Sequence, residues 1–499
     1  MNYISIKNGE SIPLSSIPEL EYGKFLASNV IDLMSDPGNH CVNYYGFPDA
    51  GKIKLICCIA NDETHLIYVS STVVEPNKPY PSFTAHTLVF EKYEREIHEN
   101  FGIEYSDHPW LKPVRYSKNR ADQTKTIANY PFYSITSEEL HEVGVGPIHA
   151  GIIEPGHFRF ICNGEQILHL EIQLGYQHRG VEQLFLEKKK ILQRITLAES
   201  ITGDTVAGHS IAFVNLWESL CGYTPDKDLQ FARTLALELE RIAIHTGDLS
   251  GMCTDIAYQL GSAVFGRLRT PIINYFQQWC GNRFAKSLIR VGKSNFPYTE
   301  QLAATLTSVL DAYEPDFNEM CQELFRMPSA LSRFEKTGVV SEEDARKIGT
   351  VGMSARMSGV NRDIRLSHPH DLYPILEHKP IIKHHGDVYS RAQMRRQEIA
   401  QSICYIRKLL KELPEITETR TAISSPAANM FGISLVEGWR GEICHCAITD
   451  ETGELRHYKI KDPSFNNWLA LGIAVRNNEI SDFPISNKSF DHSYSGHDL

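Results

Sequence analysis

The chain has eleven cysteines among 499 residues, yet no two of them are spaced Cys-x-x-Cys. That spacing is a common way to bring two thiolates onto one metal or cluster, so its absence speaks against a thiolate-built metal centre. Long apolar runs are also missing. Nothing approaches the roughly 18 to 20 consecutive apolar residues that a membrane-spanning helix needs. Positive charge is in deficit, with 50 Lys and Arg against 61 Asp and Glu and a formal net charge of -11. This removes the electrostatic reason to expect nucleic acid or an anionic lipid surface as partner. The opening residues MNYISIKNGE lack the basic-then-apolar pattern of a secretory leader. No GxGxxG or P-loop spacing occurs, so no phosphate cradle is written in the chain. An odd number of scattered cysteines suits a reducing compartment. The expectation is a cytoplasmic protein, with any membrane association made through partners.

What is present divides the chain in two. Residues 1–118 carry short strands such as IKLICCIA and HLIYVSSTVV, then a helix, and read as an α+β domain. Residues 119–145 form a polar stretch that reads as a linker. Residues 146–499 open with a strand hairpin around HFRF and ILHLEIQL. Apolar residues at helical spacing follow over about 182–221, 226–265, 270–290, 298–326 and 388–413. A last β segment, GISLVEGWRGEICHCAITDETGELRHYKI, has turn residues at hairpin positions. The second domain is therefore expected to be mainly α, a helix bundle with small β-sheets at both ends.

Two sets of motifs carry a resemblance. Glu94-Arg95-Glu96, Phe101-Gly102-Ile103 and His108-Pro109 resemble the signature of the complex I 30-kDa-type subunit. From Gly146 onward, GPIHA, LGYQHRGVE, LELERIAIH, GMSARMSGVNRDIR, GDVYSRAQMRRQEI, EGWRGEICH and KIKDPSFNNWLAL resemble the complex I 49-kDa-type subunit and the large subunit of [NiFe]-hydrogenases. A fusion of the two is similar to the large subunits of complex-I-related membrane complexes of the formate hydrogenlyase and hydrogenase-4 type.

The resemblance fails at the metal ligands. Hydrogenases of this family hold nickel and iron with two Cys-x-x-Cys pairs. Counting back from His209 puts Thr202 and Thr205 at the early pair, and the C-terminal segment FDHSYSGHDL puts Ser493 and Gly496 at the late one. Hydroxyls do not replace soft thiolate ligands for nickel. The chain is placed in the cysteine-less branch, with no [NiFe] site and no active [NiFe] hydrogenase.

The complex I relatives imply a different chemistry, in which a His and a Tyr hold a quinone headgroup and an Asp pairs with the His. Here the His is His149 and the Asp, ten residues beyond His245, is Asp255. A His–carboxylate pair suits proton-coupled electron transfer, because the carboxylate raises imidazole basicity. The Tyr position is Ile201, which cannot hydrogen-bond a carbonyl. Arg179 and His245 are implied to lie beside an iron–sulfur cluster of a partner, where a cation or N–H raises the cluster potential. The alternatives are a salt bridge to Glu182 or a helix cap for Arg179, and a satisfied core histidine for His245. Glu154, His157 and Arg159 either line the same cavity or form one solvated strand face. Arg391, Arg395 and Arg396 read as an interface with the N-terminal domain or a partner.

Two readings stay open. In the first, the chain is a subunit of a complex-I-like NAD(P)H:quinone-type oxidoreductase. A [4Fe–4S] cluster in a small partner delivers electrons, quinone is the expected cofactor, and a ferredoxin-like subunit and antiporter-like membrane subunits complete an ion-translocating assembly. In the second, it is a redox-inactive structural and coupling subunit of an antiporter-like complex.

Overall fold

A computed structural model describes residues 2–76, 78–150, 153–411 and 423–499. In the N-terminal region, the strands Asn39–Asp49, Lys52–Asn61 and Leu66–Val74 form an antiparallel sheet, edged by Ile4–Ile6 and, in parallel, by Glu19–Leu20. A two-residue turn links the first two strands, with Ala50 and Gly51 both at positive φ, the twist that matches hairpin strands. The helix Glu91–Phe101 covers this sheet and ends on Gly102 in the left-handed conformation.

The Glu-Arg-Glu motif on that helix holds the structure together. The Glu94 carboxylate accepts from Ser82 Oγ, Thr84 Oγ1 and the Phe83 and Thr84 amides. Arg95 pairs with Glu91 and donates to the Lys112 and Pro113 carbonyls. Glu96 pairs with Arg115 and, across to the second domain, with Lys459.

The hairpin His157–Asn163 and Gln166–Gln173 turns at Gly164 and buries Phe158, Phe160, Cys162, Ile167 and Leu170. Its third strand is His141–Val145, so the end of the expected linker belongs to this sheet. The central helix Lys227–Asp255 is capped by Asp226, whose side chain accepts from the Leu229 amide, and is buried on almost every face, charged residues such as Arg233, Glu238, Arg241 and Asp248 included. It packs against Gln259–Cys280 and Val388–Lys411. The expected helix over 226–265 is broken at residues 256–258, where Ala257 is left-handed, and resumes without interruption through 270.

The last sheet is a meander, Met430–Glu437, Glu442–Thr449 and Leu455–Lys461, and its fourth strand comes from the other end of the chain. Ser11–Pro13 pairs antiparallel with Met430–Gly432. Asn8 extends this pairing, accepting from the Leu435 amide and donating to the Leu435 and His368 carbonyls. One apolar cluster therefore joins Val42, Tyr45, Ile56 and Cys58 of the first domain to Phe431, Ile433, Leu435, Cys444 and Cys446 of the second. The cysteines at 57–58 and 444–446 are free thiols buried in strands. His40 Nε2 and Glu442 Oε2 meet across the same boundary at 2.7 Å.

Candidate functional site

The four positions that align with the hydrogenase cysteines fall on two neighbouring segments. Thr202 and Thr205 lie in the loop between the helices Ile191–Ala198 and Val206–Leu220. Ser493 and Gly496 lie at the start of the terminal helix Tyr494–Asp498, which Ser493 caps by accepting from the Gly496 amide at 2.9 Å. Arg440 ties the segments together. Its guanidinium donates to both Asp204 carboxylate oxygens at 2.7 Å, to Thr205 Oγ1 at 3.2 Å and to the Asp491 carbonyl. A buried cation thus occupies the junction. A Cβ on Gly496 would stand 2.6 Å from Asp462 Cγ. Thr202 Oγ1 is buried without a partner. Hydroxyls, a guanidinium and a position without room for a side chain do not fit a nickel–iron centre. Among the described residues no group of three or more His, Cys, Asp or Glu is placed to hold a metal ion.

Behind Gly496 runs a buried polar chain. Asp462 Oδ2 is 3.1 Å from His209 Nε2, His209 Nδ1 is 3.1 Å from His445 Nε2, and His445 Nδ1 is 2.7 Å from Tyr458 Oη. Burial pushes the Asp462 carboxyl up, but the His209 hydrogen bond and the Arg440 charge outweigh it and hold it low. Burial and the neighbouring His209 hold His445 well below the ordinary histidine value.

His149 does not meet Asp255. Asp255 ends the central helix on the exposed side, and the charge that acts on it is Lys488, which opposes an upward push from burial. Among the described residues no hydrogen bond or ion pair joins it to His149. The Lys488 side chain crosses the helix where Gly251 has no Cβ and pairs with Asp491 at 3.0 Å. Instead, His149 Nε2 lies 3.3 Å from Tyr494 Oη, with the Phe158 ring edge-on at 5.4 Å. Burial pulls the His149 pKa down and pushes the Tyr494 pKa up, so both are neutral at pH 7. In the tautomer with hydrogen on Nε2, the ring donates to the hydroxyl and leaves Oη–H free for a third group. Ile201, at the family's Tyr position, is fully buried in the helical core.

Arg179 donates to the Ser200 and Ile201 carbonyls beyond the end of Ile191–Ala198, while Glu182 pairs with Lys459. The helix-end arrangement is formed and the Glu182 bridge is not. His245 Nε2 lies 2.9 Å from Glu398, whose carboxylate is also held by Arg356 and Arg241. His245 Nδ1 has no hydrogen-bond partner. This cluster continues to Asp248, Arg395 and Lys488. Arg395 and Arg391 therefore point into the core of the second domain, Arg391 onto the Gly338 and Gly386 carbonyls, and not toward the N-terminal domain. Of the remaining residues, Arg159 pairs with Glu142 and His157 packs on Phe132 from the strand, whereas Glu154 precedes the strand and accepts from the Ser495 amide. Sequence reasoning missed Arg440, Asp462 and Tyr494. EGWRGE, KIKDPSF and HSYSGHD were visible as motifs, but their spatial meeting was not.

Residues 28–121 match the family described as respiratory-chain NADH dehydrogenase, 30 Kd subunit, and residues 255–432 match its 49 Kd subunit. Hydrogenase-4 component G of Escherichia coli (strain K12) is 25% identical over 446 residues, 86% of this chain and 77% of that protein. Formate hydrogenlyase subunit 5 of the same strain is 27% identical over 451 residues, 85% and 77% of the two chains. An NADH-quinone oxidoreductase subunit of Dehalococcoides mccartyi is 29% identical over 335 residues, 66% and 90% of the two chains. The chain thus carries, in one polypeptide, a segment that matches the 30 Kd and a segment that matches the 49 Kd subunit family of the respiratory-chain NADH dehydrogenase, and it is similar to hydrogenase-4 component G and formate hydrogenlyase subunit 5.

Proposed function

We propose that the chain is the metal-free large subunit of a complex-I-like oxidoreductase complex, in which electrons from a small iron–sulfur partner reach a quinone held by His149 and Tyr494. The observation that carries this reading is the 3.3 Å approach of the Tyr494 hydroxyl to His149 Nε2. It returns a Tyr–His pair to a chain whose family Tyr position is Ile201. Reduction of a quinone takes two electrons and two protons. As the partner's electrons arrive, Tyr494 Oη–H passes its proton to one carbonyl oxygen, His149 Nε2–H replaces it, and solvent protonates His149 Nδ1 and the second oxygen, which supplies the two protons. Among the described residues no helix is long and apolar enough to cross a membrane. Ion translocation accordingly belongs to antiporter-like membrane partners, and a ferredoxin-like subunit feeds the iron–sulfur partner.

The second reading, a redox-inactive coupling subunit, is favoured by the commitment of Arg179 and His245 to internal partners. The test is quinone-linked turnover of the intact complex carrying Tyr494→Phe. A fall of about a hundredfold with assembly intact supports the first reading. Unchanged turnover rejects the Tyr494–His149 site, and no quinone-linked turnover in the unaltered complex supports the second.

A further inference from the structure

A cleft of about 600 Å³ opens where the helix Glu91–Phe101, the hairpin strand Gln166–Gln173 and the helix Pro463–Ala474 meet. This volume is typical of small-molecule sites. The quinone site at His149 and Tyr494 does not use it, and Trp468, whose ring lies 4.9 Å from Tyr494, is the wall between the two. The lining is largely aromatic and apolar, with Trp110, Tyr130, Trp468, Ile172 and Leu469 on its walls.

Its charges do not cancel. Arg95 is neutralised by Glu91 and Lys112 by Glu171. Lys92 Nζ donates only to the Phe465 carbonyl, at 2.8 Å, and Arg476 has no carboxylate at ion-pair distance among the described residues. His169 adds no third positive charge, since burial and Arg476 hold its pKa down. Arg476, and Lys92 in its protonated form, thus face an aromatic cleft with no carboxylate at ion-pair distance among the described residues. Gly472 opens the floor, where an added Cβ would meet only the Leu170 carbonyl, at 3.5 Å.

We infer that this cleft binds an aromatic anion, a planar ring system carrying one carboxylate, sulfonate or phosphate. The rings of Trp110, Tyr130 and Trp468 take its faces, and Lys92 and Arg476 take its charge. Desolvation pulls the Lys92 ammonium down to about 7. A bound anion restores its charge.

The probe is 8-anilinonaphthalene-1-sulfonate titrated into the full-length chain, read by energy transfer from tryptophan and compared with uncharged N-phenyl-1-naphthylamine. One saturable site per chain is expected, with the uncharged probe about tenfold weaker. Lys92→Met and Arg476→Gln are each expected to weaken binding about fivefold, and Gly472→Leu to abolish it by filling the cleft. Arg476 is exposed and Gly472 has room, so these two variants keep the test open if Lys92→Met does not fold. Equal affinity for both probes, or wild-type affinity in folded Arg476→Gln and Gly472→Leu chains, overturns the inference.

Discussion

Gly496 and Asp462 lie so close that a methyl group on the glycine would stand 2.6 Å from the aspartate Cγ. Asp462 is itself fixed by His209 and by the Ser464 amide, so it has little freedom to retreat. Gly496→Ala is expected to cost roughly 1–3 kcal/mol by overpacking, seen as a lower melting temperature. Restoring all four cysteines at 202, 205, 493 and 496 should not restore nickel binding. Stoichiometric nickel in that variant, measured by elemental analysis, would refute this account of the junction.

Arg440 holds Asp204, Thr205 and the Asp491 carbonyl at once. A lysine cannot reproduce a two-pronged carboxylate contact. Because Asp204 is about one-third exposed, Arg440→Lys is expected to cost no more than roughly 2 kcal/mol. Hydrogen exchange should rise in residues 199–205 and 491–496 together. Exchange confined to one segment would show that Arg440 does not join them.

Ile201 is part of the helical core, without exposed surface. Ile201→Tyr, which recreates the family residue, should destabilise by roughly 1–3 kcal/mol. It should bring no gain in quinone-linked turnover of the complex. A gain would mean that the hydroxyl is needed at 201 and that Tyr494 does not supply it.

Acid should loosen the joint between the domains. Burial pushes the Glu442 carboxyl up, but Lys461 and His40 outweigh it and hold it at about 2. An unfolded glutamate titrates near 4.3. This contribution to stability is therefore complete above about pH 4.3 and is lost as pH falls toward about 2. Denaturant melts between pH 3 and 6 should show the slope, and Glu442→Gln should flatten it. The variant should also be less stable at pH 7 by roughly 3–5 kcal/mol, because Lys461 is left buried without its partner. An unchanged slope would assign the acid response elsewhere.

The long amphipathic and apolar stretches are legible in the sequence because periodicity survives without knowledge of neighbours. The break at 256–258 is not, since Asp255-Ile256-Ala257-Tyr258 has neither glycine nor proline to mark it. The strand His141–Val145 reads as linker because it closes a long polar stretch, and its pairing with 158–162 is what makes it a strand. Counting from His209 locates positions 202 and 205, and the terminal motif FDHSYSGHDL locates 493 and 496. Neither shows that Arg440 ties Thr205 to the Asp491 carbonyl. Likewise, the resemblance offers Asp255 as the partner of His149, whereas Tyr494, separated from His149 by 345 positions, is the group beside it.

The strand Ser11–Pro13 completes a sheet made from the end of the chain, and Asn8 bonds to Leu435 across a sequence separation of 427 residues. During synthesis at about 5–20 residues per second, that segment emerges roughly 20 to 80 s before its partner exists. In the interval, the nascent N-terminal domain presents the apolar face of Val42, Tyr45, Ile56 and Cys58 without its cover. The order of translation thus leaves a window in which a chaperone, or a neighbouring nascent chain, competes for the place that residues 430–437 will take.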